Sequence, residues 1–197
     1  MRAILVLVLV AISAAPGRAD SFAEIVGGLS LPVGNDNWTN TVDQSPKLGV
    51  RAGAMSGEIG GMLAIDWTPE TLDNNGGSFG IGATSAAAHR FRAIASAVFR
   101  HRVAPRITIS ARAGAGLDLA HASYEVTILN STSSTSDTDL GYGFEFGGGV
   151  WFDVGGTQLG VELALPIGKH SKRATQTGDI TFDYTSIDID LLLGIRF

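Results

Sequence analysis

The sequence predicts an all-β protein, an eight-stranded antiparallel up-and-down transmembrane β-barrel preceded by a cleavable signal peptide. Three observations predict it. Eight segments alternate apolar and polar residues with period two, the pattern of strands with unlike faces. After residue 19 no apolar run reaches the ~18–20 residues that a membrane helix requires. The polar faces carry glycine and long side chains of both charges, rather than a uniform hydrophilic coat.

Residues 1–19 read as a secretory signal and residues 20–197 as one barrel domain. Met1 and Arg2 make a short positive start, residues 3–15 an apolar run too short to span a bilayer, and Gly17-Arg18-Ala19 a small-x-small cleavage site before Asp20. Removing Arg2 and Arg18 takes the 14 basic residues to 12 against 19 acidic ones, a formal charge of −7. No basic cluster remains to hold nucleic acid. The chain has no cysteine, which excludes disulfides, thiolate catalysis and cysteine-ligated metals.

The first strand is expected at residues 23–33, with Ile25, Leu29, Leu31 and Val33 on one face and Glu24, Val26, Gly28 and Ser30 on the other; Pro32 marks its end. Residues 34–46 form a polar loop dense in turn formers. A hairpin around Ser56-Gly57 then joins residues 47–55 to 58–67, with Leu48, Val50, Leu63 and Ile65 opposite Lys47, Arg51, Glu58 and Asp66. Cross-strand pairing there is expected to bring Arg51 near Glu58 or Asp66. Residues 68–78 form a second polar loop.

Residues 89–100 fit two periods. Phe91, Ile94, Ala95 and Val98 suit a helix, and alanine favours one; the strand reading places Phe91, Ala93, Ala95, Ala97 and Phe99 opposite Arg90, Arg92, Ser96 and Arg100, and it agrees with the period of every neighbouring segment. After a turn at residues 101–105 comes the longest clean alternation, residues 106–120, longer than a bilayer crossing needs. Residues 121–139 form the longest excursion, and its run NSTSSTSDTD is expected to be mobile and solvated. Tyr124, Val126 and Ile128 alternate before that run, which allows the flanking strands to continue as a hairpin.

Residues 140–154 resume the pattern, Gly155-Gly156 turns the chain, and Leu159, Val161, Leu163, Leu165 and Ile167 follow. Residues 168–179 hold Lys169, His170, Lys172 and Arg173 and form the only basic loop. Residues 180–184 alternate out of phase with the last strand, which predicts a bulge near Thr185-Ser186 or a strand end standing clear of the membrane. In that last strand Ile187, Ile189, Leu191, Leu193, Ile195 and Phe197 alternate with Asp188, Asp190, Leu192, Gly194 and Arg196. Short connections alternate with long ones, as when one set faces the periplasm and the other the exterior.

Period two alone does not distinguish a barrel with an apolar lining from one with an apolar exterior. The polar face does, because its glycines suit a narrow lumen that long side chains must fill and are poor choices for a wet sheet surface. A lumen charge network is therefore expected from Glu24, Lys47, Arg51, Glu58, Asp66, Arg90, Arg92, Arg100, Arg112, Asp118, Glu145, Asp153, Glu162, Asp188, Asp190 and Arg196. Isolated charges there are costly, so they should pair, with bidentate arginine contacts. Trp67, Phe99, Tyr142, Phe152 and Phe197 fit interfacial girdles.

The signal peptide, eight alternating strands, glycine-rich polar face, long polar loops and terminal Phe197 together resemble the small outer-membrane barrels of Gram-negative bacteria, the class of the OmpA transmembrane domain and of OmpX-like and OmpW-like proteins. The resemblance implies location in the cell outer membrane, contact with outer-membrane lipid and lipopolysaccharide, and an assembly signal in Ile189, Leu191, Leu193, Ile195 and Phe197 for the barrel assembly machinery. No periplasmic peptidoglycan-binding domain of the OmpA kind is expected after Phe197.

Three functions follow as alternatives. The first is a structural or surface-interaction barrel with a largely filled lumen, no cofactor and a partner that the sequence leaves unspecified. The second is a narrow channel for small solutes, for which eight strands leave little room. The third is a lipid-modifying hydrolase, because His121-Ala122-Ser123 is similar in spacing to an outer-membrane lipid A deacylase, with Glu125 close by as an orienting carboxylate. His89, His101 and His170 show no metal-ligand spacing. The basic loop is either solvated or placed to meet lipopolysaccharide phosphates.

Overall fold

The computed structural model describes residues 20–34, 42–71, 83–128, 131–170, 173–175, 178–180 and 183–197; the predicted signal peptide and parts of the polar connections lie outside the described residues. Eight strands build the wall: β1 (Asp20–Pro32), β2 (Ser45–Ser56), β3 (Ile59–Thr71), β4 (Ala83–Ala104), β5 (Ile107–Ile128), β6 (Ser131–Val154), β7 (Thr157–Lys169) and β10 (Tyr184–Arg196). A two-stranded hairpin, β8 (Arg173–Thr175) and β9 (Gly178–Ile180), lies between the last two. The barrel closes in the order β1-β10-β7-β6-β5-β4-β3-β2, so each strand pairs with its chain neighbour and β10 returns to β1. Closure removes every edge at the level of the bilayer, which a strand in lipid requires because no water is present to satisfy its backbone.

Alternation decides which face goes where. Ile25, Leu48, Leu117, Phe146, Leu163 and Leu191 point outward and are exposed, Leu191 at 64%, whereas their neighbours Glu24, Lys47, Asp118, Glu145, Glu162 and Asp190 are buried. The barrel is thus apolar outside and charged inside. On β5 the apolar exterior runs from Ile107 to Leu119, about 40 Å along the strand and about 30 Å once tilt is allowed for, close to a hydrocarbon core. Among the described residues no helix is long and apolar enough to cross a membrane. The strands do the crossing.

The short turns gather at one end with Asp20 and Phe197, whose strands meet through mutual backbone hydrogen bonds between Ser21 and Phe197, both 3.0 Å. Gly155 and Gly156 hold φ of 61° and 93°, the left-handed pair that a two-residue hairpin matching strand twist demands. The β2–β3 turn is Gly57-Glu58, one residue later than the predicted Ser56-Gly57, since Ser56 already pairs with Ile59. The β4–β5 turn shrinks to Pro105-Arg106, and a register shift between Arg102 and Ala104 absorbs the extra residue.

At the other end β4, β5 and β6, with 22, 22 and 24 residues, outrun the 12- and 13-residue strands around them. At this end β6 runs past Tyr142↔Lys169, where β7 ends, by the eleven residues 131–141, about 36 Å at about 3.3 Å per residue, and β4 runs past Thr71↔Ala87, where β3 ends, by the four residues 83–86, about 13 Å. Residues 89–100 are strand, paired to β3 on one side and β5 on the other. The hairpin that Tyr124, Val126 and Ile128 allow is formed, a β5–β6 ladder from His121↔Thr138 to Ile128↔Ser131, and it takes in most of the run NSTSSTSDTD; serine and threonine need no buried face to join a ladder that their β5 partners already template. Likewise residues 68–71, expected in a loop, extend β3 against Arg90 to Ala87.

The bulge predicted near Thr185-Ser186 is absent. Tyr184↔Gly168 and Asp188↔Ala164 hold one continuous register, and Tyr184, Ser186, Asp188 and Asp190 all face the lumen. Ile180 belongs instead to β9, so the two stretches do not share a strand.

Candidate functional site

The lumen is built in three tiers. At the short-turn end Phe22, Met55, Met62, Ala64 and Val98 form an apolar floor, and Trp151 packs with Val26 and Leu192 beside it. Trp151 donates from Nε1 to Ser110 Oγ at 3.0 Å and lies so close to Gly160 that a Cβ there would stand 2.7 Å from the indole. The guanidinium of Arg100 is held by Glu24 and sits 4.1 Å from the Phe22 ring centroid and 4.7 Å from that of Trp151. Cation and aromatic faces thus satisfy one another in a site without solvent.

Above the floor, four cations and four carboxylates alternate in a closed ring. Arg92 contacts Asp188 at 3.1 Å; Lys47 contacts Asp188 and Asp190 at 2.7 Å each; Arg51 contacts Asp190 at 2.8 Å and Glu162 at 2.9 Å. Arg112 continues to Glu162 at 2.8 Å and to Glu145, and Glu145 returns to Arg92 at 3.1 Å. Asp66 joins from β3, 3.4 Å from Arg92. The ring draws on β2, β4, β5, β6, β7 and β10, six of the eight wall strands. Each charge has two opposite neighbours, the condition under which Coulomb attraction offsets the desolvation of buried ions.

The third tier lies at the long-strand end. Arg90 contacts Glu70 at 2.5 Å and Asp118 at 3.8 Å, its guanidinium 3.4 Å above the Tyr184 ring. Tyr184 donates from its hydroxyl to Asp118 at 2.5 Å, and His170 approaches Asp118 and Asp139. Ser30, Ser45, Glu70 and Ser186, among others, line a shallow surface depression beside this tier, with no enclosed space for a ligand.

Of the sixteen charged residues expected in the network, thirteen are buried in the lumen. Glu58, Asp153 and Arg196 are not among them. The one-residue shift of the β2–β3 turn takes Glu58 off the strand, where it is exposed and meets His101 Nδ1 at 2.7 Å. Asp153 is half-buried at the short-turn rim with Arg102 and Gln158, and Arg196 is exposed at the same rim. Arg51 reaches neither Glu58 nor Asp66 at ion-pair distance; it crosses to β7 and β10, because the lumen is narrow enough for an arginine to bridge strands that are not neighbours.

Glu70, His170 and Tyr184 complete the upper tier and fall outside the network expected from sequence. Glu70 and His170 continue the even-numbered lumen faces of β3 and β7 into stretches that composition marks as loop, and Tyr184 opens the even-numbered lumen face of β10, so parity, not polarity, is the signal that locates them. His170 is therefore buried rather than solvated with its basic neighbours, while Lys169 pairs with Asp183 at 3.1 Å.

His121 and Ser123 lie on the outer face of β5. His121 Nδ1 is hydrogen-bonded to Thr138 Oγ1 at 2.7 Å, and Ser123 Oγ donates to the Ala87 carbonyl at 3.4 Å. The two side chains are thus engaged with different strands. Among the described residues no group of three or more His, Asp or Glu is placed to hold a metal.

Strand number, closure, apolar exterior and charged lumen define a membrane-spanning eight-stranded β-barrel, and the fold is that of small outer-membrane barrels. No protein-family model matches the sequence, and no curated protein matches it. Solved structures do. A major outer membrane protein from Thermus thermophilus superimposes with a TM-score of 0.64 at 11% identity, covering 92% of this chain and 100% of that one. Neisserial surface protein A gives 0.54 at 15%, covering 91% and 97%. Ail, the attachment invasion locus protein of Yersinia pestis, gives 0.52 at 13%, covering 90% and 99%, in its complex with the heparin analogue sucrose octasulfate.

Proposed function

We propose that this chain is an outer-membrane barrel with a structural and surface-interaction role, its lumen closed to solutes. The observation that carries this reading is the closed ring of Arg92, Asp188, Lys47, Asp190, Arg51, Glu162, Arg112 and Glu145 above a floor of Phe22, Met55 and Met62. A solute would have to part several buried ion pairs at once, and removing one partner of such a pair costs about 3–5 kcal/mol. The exterior apolar belt would meet outer-membrane lipid, with the short turns in the periplasm and β4–β6 projecting outward among lipopolysaccharide. Ile189, Leu191, Leu193, Ile195 and Phe197 would present the apolar face that the barrel assembly machinery reads.

Conductance in planar bilayers is the test. The wild-type barrel should pass no porin-like current, whereas Arg92→Ala, which opens the ring at one member, should raise ion permeability. Steady porin-like steps from the wild type would instead favour a channel. Anomalous gel mobility before boiling, in the outer-membrane fraction, tests the location.

A further inference from the structure

His89 on β4 and His121 on β5 are register partners, so their side chains stand side by side on the outer face of the wall although they lie far apart in the sequence. The row they share runs from Pro69 on β3 to Thr138 on β6, one step along the strands above the row of Trp67, Phe91, Leu119 and Leu140 that tops the apolar belt. The pair therefore clears the hydrocarbon at the long-strand end. Its neighbours Pro69, Ala87, Phe91, Leu119, Ser123 and Thr138 carry no charge. Ala87 and Ser123, the next outward pair, are small and leave the half-buried rings open to water.

Each ring is held from one side only. His121 Nδ1 is hydrogen-bonded to Thr138 Oγ1 at 2.7 Å, and the His89 ring stacks on the Trp67 indole with centroids 6.1 Å apart and planes 30° apart. His89 Nδ1 is buried, with no hydrogen-bond partner among the described residues. Neither Nε2 has one among them either. A hydroxyl that accepts from Nδ1–H fixes an imidazole and leaves the lone pair on Nε2, which is how metal-binding histidines are oriented. Cβ atoms of directly opposed residues stand about 5 Å apart, and an imidazole nitrogen binds a metal at about 2.0–2.1 Å. Two rings rooted so close can share one ion.

We propose that His89 and His121 form a two-imidazole site for a late first-row divalent cation, Cu²⁺ above all, on the outer surface of the wall just above the apolar belt. The donor set selects this class. Imidazole nitrogen suits Cu²⁺, Ni²⁺ and Zn²⁺, with Cu²⁺ bound most tightly, whereas Ca²⁺ and Mg²⁺ take oxygen donors and find no carboxylate among the residues bordering the pair. Two protein ligands are fewer than the four of a structural zinc site, so water fills the remaining positions and the ion exchanges with the medium. The site lies on the outside of the wall and does not depend on a closed lumen.

Titration of the untagged barrel with Cu²⁺ in phosphatidylcholine vesicles tests it. Cu²⁺ quenches a nearby indole, so saturable binding should lower the emission of Trp67, which stacks on His89. Trp67→Phe should remove that quenching while the ion still binds, as electron paramagnetic resonance records. His89→Gln and His121→Gln should each weaken binding by about tenfold or more, and Thr138→Val, which only frees the His121 ring, by about tenfold. His101→Gln, at the short-turn end beside Glu58, should leave binding unchanged. The nitrogen hyperfine pattern of Cu²⁺ on the wild-type barrel should count two imidazoles. Fewer than two overturns the site without recourse to any variant, whether or not the glutamine variants fold. No saturable binding by the wild type, or binding kept in either glutamine variant, also overturns it. Porin-like conductance in a barrel that binds Cu²⁺ would overturn the closed lumen alone, whereas a non-conducting barrel without saturable binding would overturn the metal site alone.

Discussion

Arg51 on β2 holds Glu162 on β7 at 2.9 Å, across 111 residues of chain and between strands that do not adjoin in the wall. Both side chains are almost wholly buried. The same guanidinium reaches Asp190, and the same carboxylate reaches Arg112, so the pair is a link in a ring rather than a separate bridge.

Arg51→Met should therefore destabilise the barrel by about 3–5 kcal/mol, mainly because Glu162 and Asp190 lose a shared cation. Arg51→Met combined with Glu162→Leu should recover part of that loss. Urea unfolding in lipid vesicles, followed by tryptophan fluorescence and analysed as a double-mutant cycle, measures the coupling; a purely additive cycle would contradict the ring.

Gly160 and Gly61 should respond oppositely to alanine. A Cβ at Gly160 meets the Trp151 indole at 2.7 Å, whereas one at Gly61 meets nothing within 4 Å because it points outward. Gly160→Ala should cost about 1–3 kcal/mol, as overpacking does, while Gly61→Ala should stay within about 0.5 kcal/mol. Unfolding midpoints of the two variants in one vesicle preparation check this.

Leu191 stands on the outer face of β10 between Asp190 and Leu192, which are buried. Leu191→Arg should cost about 2–4 kcal/mol near the middle of the belt. The penalty is read in the same unfolding assay, and it should shrink when the arginine is placed at Ile195 near the short-turn end.

His121 and Ser123 bond to Thr138 and Ala87 rather than to one another. Ser123→Ala is accordingly expected to leave the lipid A composition of the host outer membrane unchanged, as mass spectrometry of extracted lipid would record.

Legibility in the sequence follows burial geometry. The strand ending at Phe197 is readable because one face meets lipid and the other the lumen, so every second residue reports its surroundings. Where the chain leaves the bilayer that constraint lapses, and composition misleads: the serine- and threonine-rich start of β6 reads as a loop although β5 templates it, and Glu70 and His170 read as solvated although they face inward. The membership of Lys47, Arg92 and Asp188 in a charged lumen can be read from parity. Their pairing cannot, because lumen contacts join strands separated by others in the wall, and no local period encodes which arginine meets which acid.

The ladder of backbone hydrogen bonds around this barrel resists pulling strands apart, but it does little to stop the tube being squeezed flat, since each inter-strand hinge can bend without breaking a bond. The eight linked charges span six staves from the inside, so flattening in any direction stretches some pairs as it compresses others. The ring thus acts as a set of spokes. It gives a thin-walled cylinder a fixed, round cross-section against the lateral pressure of the bilayer, a mechanical duty that would hold even where nothing ever passes through.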